Sequence, residues 1–233
     1  MASVQTTDWI PYLSIDGVVF GFHANELRVL LLRWTNTQEW CLPGGFIDKA
    51  EAVDEAAHRV VSERTGLDKL YLQQFHVFGA VRRYDQADTL RRINIPEPDG
   101  TWPNRTISIG YYALVDYERV VPTPDVFTDE CRWWSLPEVP PLLFDHNDIV
   151  RVAYDTLRRE LPNQPMAHLL PPSFTITELQ RLHETILGEP LDARNFYKKM
   201  MASGTLERLT TRRVGTPHKA PYLYRFVHDL SAS

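Results

Sequence analysis

Leu42-Pro43-Gly44-Gly45-Phe46-Ile47-Asp48-Lys49-Ala50-Glu51-Ala52-Val53-Asp54-Glu55-Ala56-Ala57-His58-Arg59-Val60-Val61-Ser62-Glu63-Arg64-Thr65-Gly66-Leu67 is the stretch on which the fold turns. A double-glycine turn leads through Glu51 into a run with helical periodicity at residues 53–64, and Gly66 supplies the stop. Upstream, residues 12–22 and 26–34 alternate and run apolar on either side of the turn-like Gly21-Phe22-His23-Ala24-Asn25, which predicts a β-hairpin. Downstream, further strands are predicted at 75–83, 106–115 and 131–134, and a second helix at 147–161, with Asp145 and Asp148 as a cap pair. Residues 84–104, rich in Asp, Pro, Asn and Arg, form a connection long enough to be a ligand-covering loop or a disordered one.

With 233 residues, 43% hydrophobic, 11% aromatic and 24% charged, the chain has the composition of a globular protein, and its length predicts one large domain with a small appendage. Two cysteines, Cys41 and Cys131, are too few for a disulfide framework, and no charged-then-apolar leader precedes Asp8-Trp9-Ile10, so a reducing cytoplasm is expected. Apolar runs such as Val29-Leu30-Leu31-Leu32 fall far short of the ~20 residues that cross a bilayer. There is no internal repeat and no low-complexity tract. The net charge of −5 hides a split: residues 190–227 hold eight basic and two acidic side chains, leaving 17 basic and 28 acidic elsewhere. An acidic body with a basic end fits contact with a polyanion; the alternative is a solvated surface.

The spacing at 45–67 resembles the Nudix box: Gly, five residues, Glu, seven residues, Arg-Glu, an aliphatic, any residue, Glu-Glu, any residue, Gly, aliphatic. The resemblance implies a Nudix fold, an α/β/α sandwich with a mixed sheet, over residues 1–161. In that family several carboxylates on one helix face hold Mg²⁺ for cleavage of a diphosphate. Gly45, Glu51, Arg59, Glu63 and Gly66 match; the Glu51–Arg59 pair is implied to fix the loop to the helix. Val60 and Arg64, however, replace two metal-site glutamates, leaving Glu63 as the one doubtful metal ligand and no intact catalytic set. Val60 reads equally as a core residue continuing Ala56 and Ala57 toward Val61. Asp54 and Glu55 are the candidate substitute ligands, but acids at a helix start are favoured by its dipole in any case.

Prolines at 162, 165, 171 and 172 predict a linker at 162–172. In residues 173–233, Thr175-Ile176-Thr177-Glu178 has capping-box spacing before the apolar series Leu179, Leu182, Ile186, Leu187, with Gly188 and Pro190 as the stop. Asp192 caps a second helix with Phe196 and Met200 inward, and strand-like pieces at 205–211 and 221–227 flank a turn at 214–220. Helix, turn, helix and two-strand flap fit a winged helix-turn-helix. On that reading Arg194 and Asn195 meet base edges or phosphates of double-stranded DNA, Lys198 and Lys199 meet phosphates, and Arg212, Arg213, His218 and Lys219 belong to the wing. The alternative is a dimerisation cap with solvated charges.

A degenerate box, Pro141-Leu142-Leu143-Phe144-Asp145-His146 and a basic winged helix together resemble the Nudix-related transcriptional regulators. That resemblance implies a homodimer on an operator and an effector, ADP-ribose or a pentose such as arabinose, in the Nudix domain. No cofactor is required, although Mg²⁺ would serve any residual hydrolase activity. Phe46, Arg82, Arg83, Tyr84 and Arg105 are the candidate effector contacts, since guanidinium and aromatic groups suit sugars and phosphates. The competing functions are a working Mg²⁺-dependent Nudix hydrolase and a module that binds protein or RNA.

Overall fold

The hairpin predicted around Ala24 and Asn25 sets the frame. In the computed structural model, which describes residues 8–68, 70–94, 105–161, 166–213 and 220–227, β1 (Trp9–His23) pairs antiparallel with β2 (Glu26–Trp34), His23 opposite Glu26. The two turn residues have φ of 52° and 64°, the left-handed pair that a two-residue type I′ turn requires. Around these strands the described residues form a seven-stranded mixed sheet. Its central order is β3 (Trp40–Cys41), β2, β1, β6 (Ile107–Val115) and β5 (Tyr71–Phe78); β4 (Gly44–Asp48) pairs with β1 and β7 (Thr128–Ser135) with β2. The β1–β6 pairing is parallel and the other pairings are antiparallel.

Strand alternation sends successive side chains of β1 to opposite faces. Ile15 and Val19 meet α1 (Val53–Thr65), which buries Ala56, Ala57, Val60 and Val61. Val18 and Phe20 meet α3 (His146–Glu160) through Ile149, Ala153 and Leu157. The result is a helix on each face of the sheet, each fully buried aliphatic side chain contributing about 1.5–3 kcal/mol.

Three local expectations are corrected. The strand expected at 75–83 runs instead from Tyr71 to Phe78, because the chain leaves the sheet after Gly79 and carries Arg83 over to Asp145. The long connection holds a helix, α2 (Gln86–Arg92), capped by Asp85 and tied down by Arg92 to Glu39; its remainder, residues 95–104, lies outside the described residues. Asp145 does occupy the N-cap position of α3, yet makes no side-chain cap, since Arg83 takes its carboxylate.

Beyond α3, Met166–Leu169 forms a 3₁₀ turn, and Leu169 and Leu170 are buried in the cluster that begins on the α3 face of the sheet. The same cluster continues into α4 (Ile176–Leu187) and α5 (Ala193–Ala202), burying Phe174, Leu179, Leu182, Ile186 and Phe196. Strands β8 (Leu206–Arg212) and β9 (Tyr222–Phe226) form the flap, with Phe174 bridged to Tyr224. The capping box at Thr175 forms as its spacing requires: Thr175 Oγ1 accepts from Glu178 N–H, and the Glu178 carboxylate accepts from Thr175 N–H. Among the described residues no helix is long and apolar enough to cross a membrane.

Candidate functional site

The frame of the box closes as its spacing demands. Arg59 donates from Nε (3.0 Å) and Nη2 (2.6 Å) to the Glu51 carboxylate, and from Nη2 to Phe46 O (2.9 Å), while Glu51 also accepts from Asp48 N–H. The Arg59 hydrogen bonds outweigh partial burial and hold the Glu51 carboxyl below its ordinary range. Gly66 ends α1 with φ 69°, its N–H on Ser62 O. The two turn glycines are set by close approach: a Cβ on Gly44 would stand 2.7 Å from Asp16 Oδ1, and one on Gly45 3.0 Å from Val60 Cγ2.

Val60 is therefore a packing residue, 2% exposed beneath Gly45. Arg64 turns toward the loop before β7, donating to Pro124 O (3.5 Å) and lying 3.2 Å from the Glu63 carboxylate and 3.7 Å from that of Asp125. Glu63 thus has a guanidinium as its neighbour. The substitute acids are occupied as well: Asp54 accepts from Tyr111 OH, and Glu55 accepts Ala52 N–H at the start of α1. The box positions thus offer one carboxylate, that of Glu63, whereas hard cations take several carboxylate oxygens.

A cavity opens beside the turn. Asp16, Arg83 and His146 form its polar floor; Leu32, Cys41, Leu42, Leu90 and Phe144 form apolar walls, and Trp34 stacks on Phe127 (5.7 Å between ring centres) at its rim. Arg83 grips Asp145 with two 2.7 Å bonds, and its Nη2 lies 3.7 Å from Asp16 Oδ2. Asp16 also accepts from Ser108 Oγ, and His146 Nε2 lies 3.4 Å from its other oxygen. Leu42 N–H donates to His146 Nδ1 (2.9 Å), which fixes the ring. Burial would raise the Asp16 carboxyl, but His146, Ser108 and Arg83 outweigh it and hold the group below its ordinary value. Burial pushes the Cys41 thiol up, and that of Cys131 to about 12, so neither offers a thiolate nucleophile near neutrality.

Of the five candidate effector residues, Phe46, Arg83 and Tyr84 line this cavity. Arg82 and Arg105 do not; they face a polar groove alongside, where Arg105 donates to Gly79 O. Adjacent arginines leave the chain in different directions, and only the one reaching Asp145 enters the cavity. Sequence reasoning missed Asp16, Trp34, Phe127 and the side of α2 bearing Thr89 and Leu90. An isolated acid inside the apolar run Ile15-Asp16-Gly17-Val18 was the available signal for Asp16.

In the C-terminal unit Asp192 caps α5 through Asn195 N–H, and Phe196 is buried under α4. Arg194, Asn195, Lys198 and Lys199 are exposed on the outer face. The wing arginines are committed to the protein itself. Arg212 stacks 4.0 Å from the centre of the Tyr222 ring and donates to its hydroxyl, and Arg213 pairs with Glu178 of the capping box. Lys219 and His218 lie outside the described residues.

A mixed sheet between two helices, with a glycine turn locked by a Glu–Arg pair, is the Nudix architecture; the Nudix domain model matches residues 13–157, and the chain belongs to that family. Residues 166–226 match the model of the NrtR DNA-binding winged helix domain. The chain is 29% identical over 235 residues to the ADPR responsive transcriptional repressor NtrR of Acinetobacter baylyi, covering 97% of this chain and 86% of that one. It is 26% identical to Shewanella oneidensis NrtR complexed with a 27mer DNA, with a TM-score of 0.72 and coverage of 92% and 93%. The Nudix domain of the same Shewanella protein complexed with ADP ribose is 28% identical, with a TM-score of 0.50 over 62% of this chain and 87% of that one.

Proposed function

We propose that this chain is a transcriptional regulator whose Nudix cavity binds ADP-ribose without efficient hydrolysis and whose winged helix binds a double-stranded DNA operator as a homodimer. The observation that carries the reading is Val60 packed under Gly45, with Arg64 beside Glu63, in a chain whose α5 turns four polar or basic side chains outward. The first feature removes the charge pattern for Mg²⁺; the second suits phosphates. The aromatic rim and apolar walls suit a nucleobase or ribose face, and Arg83 supplies a cation for a phosphate. ADP-ribose is preferred to a pentose because it is the ligand of the related Nudix domain. The domain limits that go with this reading are 1–161, 162–172 and 173–233. DNA contact rests on Arg194, Asn195, Lys198 and Lys199, with Lys219, and less on Arg212 and Arg213, which already have partners.

The test combines ADP-ribose with Mg²⁺ and measures AMP, alongside thermal shifts with ADP-ribose and with arabinose. The expected result is a raised Tm with ADP-ribose alone, since a ligand that binds only the native state stabilises it, and no sustained AMP release. Sustained release abolished by Glu63→Gln would establish the hydrolase instead.

A further inference from the structure

The cavity and the DNA-binding unit are joined by one helix whose two ends make different kinds of contact. At the start of α3, Asp145 and His146 hold Arg83 and Asp16 of the cavity floor. At 15 residues it spans ~22 Å. In its second half Tyr154 Oη donates to Ile186 O (3.0 Å) and Arg158 Nη2 to Leu187 O (2.7 Å). These are among the final carbonyls of α4, groups that a helix cannot satisfy internally. α4 in turn sets α5: Glu184 accepts Leu191 N–H, Gln180 donates to Leu191 O, and His183 packs edge-on against Phe196.

The start of α3 is left without a cap from its own N-cap side chain. Asp145 sits at the N-cap position with φ −98° and ψ 23°, not the extended backbone of a capping residue, and its carboxylate is spent on Arg83. An anion bound in the cavity competes for that guanidinium. Once released, the Asp145 carboxylate is placed to accept from the first turn of its own helix, where Asp148 N–H otherwise donates to the Asp145 carbonyl (2.9 Å), and so to rewind that turn. Phe144, at φ 56° immediately before it, is where the chain bends.

We propose, resting on the regulator reading above, that α3 couples the two sites. Exchange of Asp145 between Arg83 and the helix cap is the input, and the Tyr154 and Arg158 bonds to the end of α4 are the output that re-aims α5. Neither output residue lines the cavity or lies on the proposed DNA face.

The test uses the full chain, ADP-ribose, and a duplex that this protein selects from a random pool. Operator affinity is measured by anisotropy with and without ADP-ribose, and ADP-ribose affinity by calorimetry. Tyr154→Phe with Arg158→Ala should leave each separate affinity within about threefold, while the ligand's effect on operator affinity falls from the ~5–150-fold typical of coupled sites toward none. Arg151→Ala, on the same helix but paired among the described residues with Asp148 and Asp155, should keep the full effect. Tyr154→Phe alone, which removes a single hydroxyl, should lose part of it. A wild type that responds to ADP-ribose, with output variants responding equally, overturns the coupling role of α3. A wild type whose operator affinity ignores ADP-ribose overturns the regulator reading as well.

Discussion

Replacing Arg83 with alanine leaves two buried carboxylates facing each other across the cavity floor. The Arg83 side chain is 5% exposed, that of Asp145 8% and that of Asp16 9%. It makes two 2.7 Å bonds to Asp145, and its Nη2 lies 3.7 Å from Asp16. Removing one member of such a buried ion pair costs about 3–5 kcal/mol, most of it from the charge left without a partner. For a chain of 233 residues that corresponds to a fall in Tm of ~6–20 °C, at about 2–4 °C per kcal/mol. Arg83→Lys keeps the charge but loses the fork, and should fall between the two. Arg83→Ala with Asp145→Ala should be more stable than Arg83→Ala alone, because no unpaired carboxylate remains at Asp145. Urea denaturation followed by circular dichroism measures each value.

The acid dependence supplies a second readout. Burial would raise the Asp16 carboxyl, but His146, Ser108 and Arg83 together hold it below its unfolded value. Its contribution is therefore fully present above the unfolded value of about 3.9 and is lost as pH falls through the lower folded one. Without Arg83, one lowering partner is gone, so the folded value moves toward the unfolded one and the stability lost to acid becomes smaller. A cost of Arg83→Ala below ~1 kcal/mol, with the acid limb unmoved, would refute the claim that this network holds the floor together.

Three further outcomes follow from the same geometry. Val60→Glu with Arg64→Glu should destabilise the fold in the absence of metal, by about 2–4 kcal/mol for the lost burial and the buried carboxylate. Millimolar Mg²⁺ should restore part of that loss and leave the wild type unchanged in a thermal-shift assay. Lys198→Ala with Lys199→Ala should weaken operator binding and reduce the slope of log affinity against log salt by about 2, one for each phosphate contact; an unchanged slope points to the dimerisation cap. Burial, aided by Lys199, lowers His183 to about 4. Its contribution to stability is thus complete above about 6.5 and lost as pH falls toward 4, and His183→Gln should flatten that limb in urea melts.

Much of the molecule was legible because its causes are local. The turn and helix at 45–67, the hairpin at Ala24-Asn25 and the capping box at Thr175 each depend on residues within a few positions of one another. The Glu51–Arg59 pair spans eight residues and was implied by the resemblance of the spacing alone. The basic face of α5 could be placed once Phe196 and Met200 were assigned inward. The ion pair of Arg213 left no such trace: its partner, Glu178, is 35 residues away and was read only as a cap.

The amino-acid order by itself determined that a Nudix-type loop and helix would form and that Val60 and Arg64 would stand where acids belong, since both follow from spacing along one helix. Only the tertiary structure decided which residues make the cavity. The parallel pairing of β1 with β6 brings Ser108 to Asp16 across 92 residues, and the exit of the chain after Gly79 brings Arg83 to Asp145 across 62. Such contacts are set by sheet order and by the burial of unlike charges together, and neither leaves a periodic trace in the sequence.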